Sequence, residues 1–233
     1  MNNQHYLDRV YCGKVAQRYG LETAIDKLAI DKDIYLSSIG LEGDQCADQR
    51  HHGGLERALH QYPSEHYAYW LKKYGVDHNW QAPGMGENLS SEGMTEDTAC
   101  LGDRYRWGEA IIEVSQPRSP CFKLNKRWGI DEFSVDMQEL SRCGWLYRII
   151  QPGIVNKKLP LVLVERVPDA MTVREACDVF FGDPLNMDGL LKLKQQCRLS
   201  SSWMDKVIQR LERSEVENWS FRLLGRAEMS AKV

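Results

Sequence analysis

The stretch VSQPRSPCFKLNKRWG, residues 114–129, joins the end of a predicted β-strand to a rigid bend and a single cysteine. The preceding run, 109–115, is rich in β-branched residues, as is typical of a strand. Pro117 and Pro120 each fix φ and remove a backbone donor, so the PRSP segment is poorly suited to a central strand or a helix. We therefore expect a bend after residue 115, with Cys121 where the strand ends.

Cys121 is surrounded in the sequence by four cations, Arg118, Lys123, Lys126 and Arg127. Nearby positive charge favours a thiolate over a thiol, and the thiolate is the form that attacks electrophiles or binds metals. If Cys121 faces these charges, it is a reactive sulfur or a metal ligand. If they point outward, it is a buried structural cysteine.

Short β-type runs separated by Gly, Pro and Asp extend to residue 167 and predict a mainly β protein, organised as a barrel or a sandwich. The candidate strands are 9–15, 33–39, 109–115, 145–150 and 159–167.

Two helices are expected to interrupt this β region. The stretch 62–75 has Pro63 at a first helical position and Gly75 as a C-terminal cap. The stretch 131–140 follows with an apolar face. The apolar faces of both are expected to make core contacts.

After Pro168 the sequence pattern is typical of helices, and three helices are predicted over 171–180, 186–197 and 201–214. The first of them opens with a capping-box pattern, Thr172 with Glu175. Three short amphipathic helices can form an interaction module or a cap packed against the β domain, and both alternatives stay open.

The composition limits the functional class. The 233 residues include 30 basic and 33 acidic side chains, a net charge of −3, which does not suggest a nucleic-acid-binding or membrane-surface protein. Residues 1–14 lack the apolar core of a signal peptide, and no stretch approaches the roughly 18 apolar residues of a spanning helix. We expect a cytoplasmic protein.

Seven cysteines are scattered without a C-x-x-C pair. This odd number and spacing argue against a disulfide framework and a structural zinc site. Most are expected to be reduced and buried.

The glycine-rich stretch GLEGDQCADQRHHGG, 40–54, can bring backbone amides close to a phosphate or carbonyl group. Asp44, Asp48, His51 and His52 could instead hold a metal, although no recognised metal-binding spacing is present. A third interpretation is a polar hairpin loop whose Asp side chains bind their own backbone.

Two further stretches, APGMGENLSSEGM at 82–94 and LGDRYRWGEA at 101–110, have similar loop composition, and the second reads most simply as a strand and turn. Three such loops and an electropositive cysteine in one β domain predict a ligand site at one end of that domain.

Read in order, four blocks resemble the signature blocks of the MOSC domain, the family named after the C-terminal domain of molybdenum cofactor sulfurases. They are GLEGDQCADQRHHGG with LERALHQYP, then GMGENLSSEGM, LGDRYRWG and VSQPRSPCFKL. The resemblance covers 8–167, and 172–220 resembles the three-helix extension of the bacterial YiiM-like branch. It implies a MOSC-type β-barrel with interspersed helices, followed by a small three-helix module.

The resemblance also implies that the barrel binds the molybdenum cofactor, a pterin with a metal-binding dithiolene, and that Cys121 ligates molybdenum through sulfur. Carried over motif by motif, the cofactor-binding candidates are Lys27, His51, His52, Gly53, Gly54, Arg57, Asn88, Arg118 and Cys121. Cys121 and His52 are the catalytic candidates, His52 as a proton donor. Asp44 and Asp48 match the motif but can serve loop geometry alone.

The YiiM-like branch is associated with reduction of N-hydroxylated compounds, including hydroxylaminopurine-type bases. The implied reaction removes the nitrogen-bound oxygen and leaves an amine. The sequence has no Cys₄ run and no G-x-G-x-x-G fingerprint, so electrons are expected from a separate reductase, which the helical tail could dock.

Two other functions compete with this one. A carrier of the cofactor, or of sulfur as a persulfide on Cys121, would use the same low-pKa thiol. An interaction module without cofactor would use the loops only as turns.

Overall fold

A computed structural model describes residues 3–225. Its strands are β1 Gln4–His5, β2 Arg9–Cys12, β3 Ala16–Arg18, β4 Leu21–Thr23, β5 Leu28–Ala29, β6 Ile34–Ser37, β7 Gly40–Leu41, β8 Leu59–Pro63, β9 Leu89–Ser91, β10 Arg104–Trp107, β11 Ala110–Pro117, β12 Trp145–Gln151, β13 Gly153–Val155 and β14 Leu161–Glu165. Its α-helices are α1 Gln49–His52, α2 His66–Tyr74, α3 Lys123–Trp128, α4 Phe133–Glu139, α5 Val173–Cys177, α6 Met187–Lys194, α7 Ser201–Arg213 and α8 Ser220–Leu224. A 3₁₀ turn, Leu55–Arg57, and a π turn, Asp178–Gly182, complete the regular structure.

A nine-stranded sheet forms the centre of the molecule, in the order β1-β14-β10-β11-β12-β8-β9-β2-β5. Its neighbours are antiparallel except for the parallel pair β8 and β9. A three-stranded sheet, β13-β6-β7, and the hairpin β3-β4 lie beside it. The predicted mainly β architecture with interspersed helices is confirmed.

The helical tail shares its core with the sheet. One cluster of buried residues joins Trp107 and Trp145 from the strands to Phe180, Leu190 and Trp203 from the tail. Burying each of these side chains stabilises the fold by about 2 kcal/mol or more. This packing favours the cap over the separate interaction module, while the division into domains at residues 168–172 stays a prediction.

A second core lies under α2, α3 and α4. Its aromatic side chains include Trp70, whose indole N–H donates to the Tyr62 hydroxyl at 2.7 Å, and the stacked pair Trp80 and Trp128. The predicted helices over 62–75 and 131–140 are therefore present, and their apolar faces make core contacts as expected.

Two proline assignments were wrong. Pro63 is the last residue of β8, opposite Ser91, and α2 begins at His66. Pro117 ends β11, opposite Trp145, so the bend begins at residue 118 and not after 115. At the end of a strand the missing N–H of proline costs no ladder hydrogen bond, which allows both positions.

The short elements were missed. Helix α3 has six residues and α8 has five, too few for a periodic apolar pattern to appear. Up to residue 225 the tail accordingly has four α-helices where three were predicted. Four of the seven cysteines are buried, and all seven are unpaired. No helix within residues 3–225 combines the length and apolar character needed to cross a membrane.

Candidate active site

A cavity of about 910 Å³ opens between the loops of 40–54 and 82–94, the bend after β11, and the tail. Its volume is in the range of small-molecule sites. All nine residues predicted to bind a cofactor line it: Lys27, His51, His52, Gly53, Gly54, Arg57, Asn88, Arg118 and Cys121. The fold thus brings together side chains separated by up to 94 positions in sequence.

Cys121 lies in the bend between β11 and α3, with a side chain that is only 6% exposed. Its Sγ is 3.8 Å from Nε2 of His52. Burial opposes ionisation of this thiol, but the hydrogen bond and charge of His52, together with Arg118, lower its pKa to about 7. By contrast, burial raises the pKa of the Cys12 and Cys100 thiols. Among these cysteines, Cys121 is the one prepared to act as a thiolate.

The bend that carries Cys121 is fixed by the tail. The backbone N–H of Phe122 donates to the carbonyl of Arg222 at 2.8 Å. The Arg222 guanidinium donates back to the carbonyl of Pro120 and to Oε1 of Gln138. Helix α8 therefore holds the backbone on both sides of the cysteine.

Only two of the four neighbouring cations face the cavity. Arg118 and Lys123 line it, whereas Lys126 is exposed and Arg127 forms an ion pair with Asp26. Because residues 123–128 form helix α3, successive side chains rotate by about 100° and cannot all face Cys121. Of the two alternatives that the sequence left open, each therefore holds for two of the four cations.

The two adjacent histidines both lie in helix α1, but their side chains have different partners. Asp48 caps this helix, accepting from the backbone N–H of His51 and contacting its Nδ1 at 3.1 Å. His52 instead contacts Cys121. Gly54 follows with φ +104°, a conformation that favours glycine, and begins the turn to Arg57, which also lines the cavity.

The positive charge of Lys27 is paired with a carboxylate inside the cavity wall. Its Nζ donates to Oδ1 of Asp44 at 2.6 Å, and both side chains are mostly buried. Asp44 also accepts from Nδ2 of Asn88 at 2.8 Å, and Oδ1 of Asn88 accepts from the backbone N–H of His60 at 3.1 Å. Asp44 thus connects two of the predicted ligand-binding residues and does more than shape its own loop.

Arg118 keeps an uncompensated charge. Over residues 3–225 it forms no ion pair, and its guanidinium contacts the sulfur of Met137 at 3.6 Å. Its backbone N–H donates to the carbonyl of Gly144 at 3.0 Å, which fixes the main chain. A guanidinium facing a cavity without a carboxylate partner is suited to bind an anion.

The sequence interpretation missed several lining residues. His60 is buried, and burial together with the charge of Arg118 lowers its pKa, so its imidazole is neutral at pH 7. Its position in the LERALHQYP block was the available signal. Ser202, Lys206 and Arg222 come from the tail, where no local pattern distinguished them from an ordinary polar helix face.

The loop 101–110 does not line the cavity, so only two of the three predicted loops build it. Asp103 instead pairs with Arg166 at 2.6 Å. In the described part of the chain, no group of three or more His, Cys, Asp or Glu side chains is arranged to hold a metal ion. The metal site made of Asp44, Asp48 and the two histidines is therefore not present there.

Several known proteins are similar to this chain in sequence and fold. The MOSC domain model matches residues 48–161. Protein YiiM of Escherichia coli is 43% identical over 219 residues, which cover 93% of this chain and 97% of YiiM. The crystal structure of YiiM from Escherichia coli superposes with a TM-score of 0.83 at 38% identity, covering 95% of this chain and 99% of that structure.

A protein named reductase, from Gibberella moniliformis, is 35% identical over 148 residues, which span 63% of this chain and 26% of that protein. Its match is partial, whereas the match to YiiM extends over nearly the whole of both chains. The chain belongs to the MOSC domain family, in its YiiM-like branch.

Proposed function

We propose that this protein is a molybdenum cofactor-dependent reductase of N-hydroxylated compounds that takes its electrons from a separate reductase. The family and the relative named reductase support a function related to the molybdenum cofactor. The observation that carries the proposal is Cys121, a buried thiol with a pKa of about 7 that faces a cavity of about 910 Å³.

The cavity fits such a cofactor in donor chemistry and charge. A thiolate is a soft ligand suited to a transition metal that brings further sulfur ligands of its own. Six Lys or Arg side chains line the cavity against four Asp or Glu, and Arg118 has no acidic partner within residues 3–225. An anionic pterin with a phosphate group would compensate this excess charge.

The roles of the protein groups follow from their contacts. The chemistry that the cofactor supplies when bound is the two-electron removal of oxygen from an N–O bond. Cys121 would hold the metal through Sγ, and Arg118 would bind an anionic group. His52, whose Nε2 is 3.8 Å from that sulfur, is placed to hold a proton for the departing oxygen.

The proposal is tested by measuring amine formation from a hydroxylaminopurine-type base and a small amidoxime. The protein is purified from a host that makes the cofactor and is supplied with a chemical electron donor. Wild type should form the amine and Cys121→Ala should not. Cys197→Ala is the matched control, because Cys197 is exposed and lies outside the cavity.

Molybdenum-loaded wild type that forms no amine from either compound would contradict the reductase. The carrier function would then be favoured, and a persulfide on Cys121 would be sought by mass spectrometry.

A further inference from the structure

The tail contributes a second basic region to the cavity, away from the sulfur. Arg57, from the turn after α1, and Lys206, from α7, both line the cavity, and Ser202 lies on the same face of α7 one turn before Lys206. Arg57 and Ser202 are 145 positions apart in sequence, so only the folded protein creates the group. We call Arg57, Ser202 and Lys206 the tail subsite.

Arg57 is held in place by neutral acceptors. Its Nη1 donates to the carbonyl of His51 at 3.1 Å, and its Nη2 donates to Oγ of Ser202 at 2.9 Å. Ser202 in turn contacts Oε1 of Gln116 at 3.2 Å. A guanidinium has five N–H donors, so this arrangement orients the group and leaves donors available.

Lys206 is also without a countercharge. Its Nζ donates to Oε1 of Gln209 at 3.2 Å, a neutral group, and neither Lys206 nor Arg57 forms an ion pair within residues 3–225. The chain pairs its other partly buried cations nearby: Arg148 with Glu56 and Glu113, and Arg210 with Glu217. Arg57 and Lys206 differ from these two arginines in having no acidic partner within the described residues.

Two like charges beside one cavity repel each other, and an anion with two negative charges removes that repulsion. A phosphate monoester has this charge, and its oxygens suit both a guanidinium and an ammonium group. Arg118 is not part of this subsite: Ser202 contacts Gln116, inside β11, whereas Arg118 lies in the bend after β11 and its guanidinium contacts Met137.

We propose that the tail subsite binds a phosphate monoester. On the proposed function, the phosphate belongs either to the N-hydroxylated substrate, which would then be a nucleotide-like compound, or to the cofactor. Helix α7 would in either case belong to the ligand-binding site and not only to the core.

Titration calorimetry with inorganic phosphate tests the subsite on the full chain, prepared without cofactor. Lys206→Ala and Arg57→Ala should each weaken phosphate binding by about tenfold or more, since each removes a charge-assisted contact. Lys192→Ala is the matched control, because Lys192 is an exposed lysine of the same tail outside the cavity, and it should bind as wild type. Equal affinity in wild type and Lys206→Ala would overturn the proposal.

The source of the phosphate is decided with molybdenum-loaded protein. Phosphate binding that persists after loading, with normal molybdenum content in Lys206→Ala, assigns the subsite to the substrate. Binding lost after loading, with low molybdenum in Lys206→Ala, assigns it to the cofactor. The titration needs no turnover, so its outcome is independent of whether the protein reduces N-hydroxylated compounds.

Discussion

Cys121 combines burial with a thiol that ionises near neutral pH, two properties that usually oppose each other. The cations adjacent in sequence indicated a thiolate, but His52, 69 positions away, makes the larger contribution. The residue type and its chemistry could thus be predicted, whereas the partner could not, because only the fold places His52 beside the sulfur.

The pKa of Cys121 predicts how its alkylation varies with pH. Thiolate is the reactive form, so the rate of reaction with iodoacetamide in cofactor-free protein should rise with pH around a midpoint of about 7. His52→Gln removes the interaction that opposes burial, and the midpoint should move upward by one unit or more, toward or above the usual value of about 8.5. The rate is followed by mass spectrometry of the peptide that contains Cys121.

His51→Gln serves as the control, because His51 contacts Asp48 and not the sulfur. Its midpoint should stay near that of wild type. An unchanged midpoint in His52→Gln would show that another group stabilises the thiolate.

At the scale of elements, the turn into β12 positions the bend of β11. Gly144 has φ +68°, and its carbonyl accepts from the backbone N–H of Arg118 at 3.0 Å. A Cβ at this position would overlap the backbone oxygen of Gln61 in β8. Gly129, at the end of α3, has nearly the same φ, +65°, but a Cβ there would meet open space.

Alanine substitutions at Gly129 and Gly144 measure separately how much backbone strain and steric overlap lower the free energy of unfolding. Gly129→Ala should lower the free energy of unfolding by about 1 kcal/mol, the cost of the left-handed conformation. Gly144→Ala adds overlap with a fixed strand and should cost about 3 kcal/mol or more. Denaturant unfolding of both variants measures the difference, and equal losses would contradict the assigned contact between Gly144 and Gln61.

Elements that are long or carry a local sequence signal could be predicted, and short elements without such a signal could not. Helix α7, with 13 residues and apolar side chains at helical spacing, lies within the predicted range, and the capping box of Thr172 and Glu175 marks the start of α5. Strand β8 and helix α3 could not be predicted because they are short and are defined by partners distant in sequence: β8 pairs with β9 and β12.

At the scale of the whole molecule, the last described helix controls the centre of the site. Arg222 donates to the carbonyl of Pro120 across 102 positions of sequence, and its own carbonyl accepts from Phe122. Arg222→Leu keeps much of the side-chain volume but removes the donors. Amide hydrogen exchange in the bend 118–122 should become about tenfold faster or more, since a hydrogen bond from a charged group is lost.

Arg213→Leu is the matched control, because Arg213 is an exposed arginine of the same tail. Exchange in the bend should match wild type in that variant. If Arg222→Leu also matches wild type, the bend is rigid without α8.

The whole site was only partly predictable from sequence. The motif blocks identified the lining residues on the β domain because those residues cluster in loops with unusual composition. The contribution of the tail was not visible, since Ser202, Lys206 and Arg222 lie on helices whose polar faces resemble ordinary exposed faces. Only the packing of the tail onto the sheet turns these faces toward the cavity.

We propose above that Cys121 anchors a molybdenum cofactor in this cavity. The most direct measurement is the molybdenum and pterin content of freshly purified wild type and Cys121→Ala, both from a host that makes the cofactor. Wild type should hold about one molybdenum per chain, and a folded Cys121→Ala variant should hold almost none. Equal molybdenum in both proteins, or a folded wild type that holds neither molybdenum nor pterin after reconstitution, would contradict it.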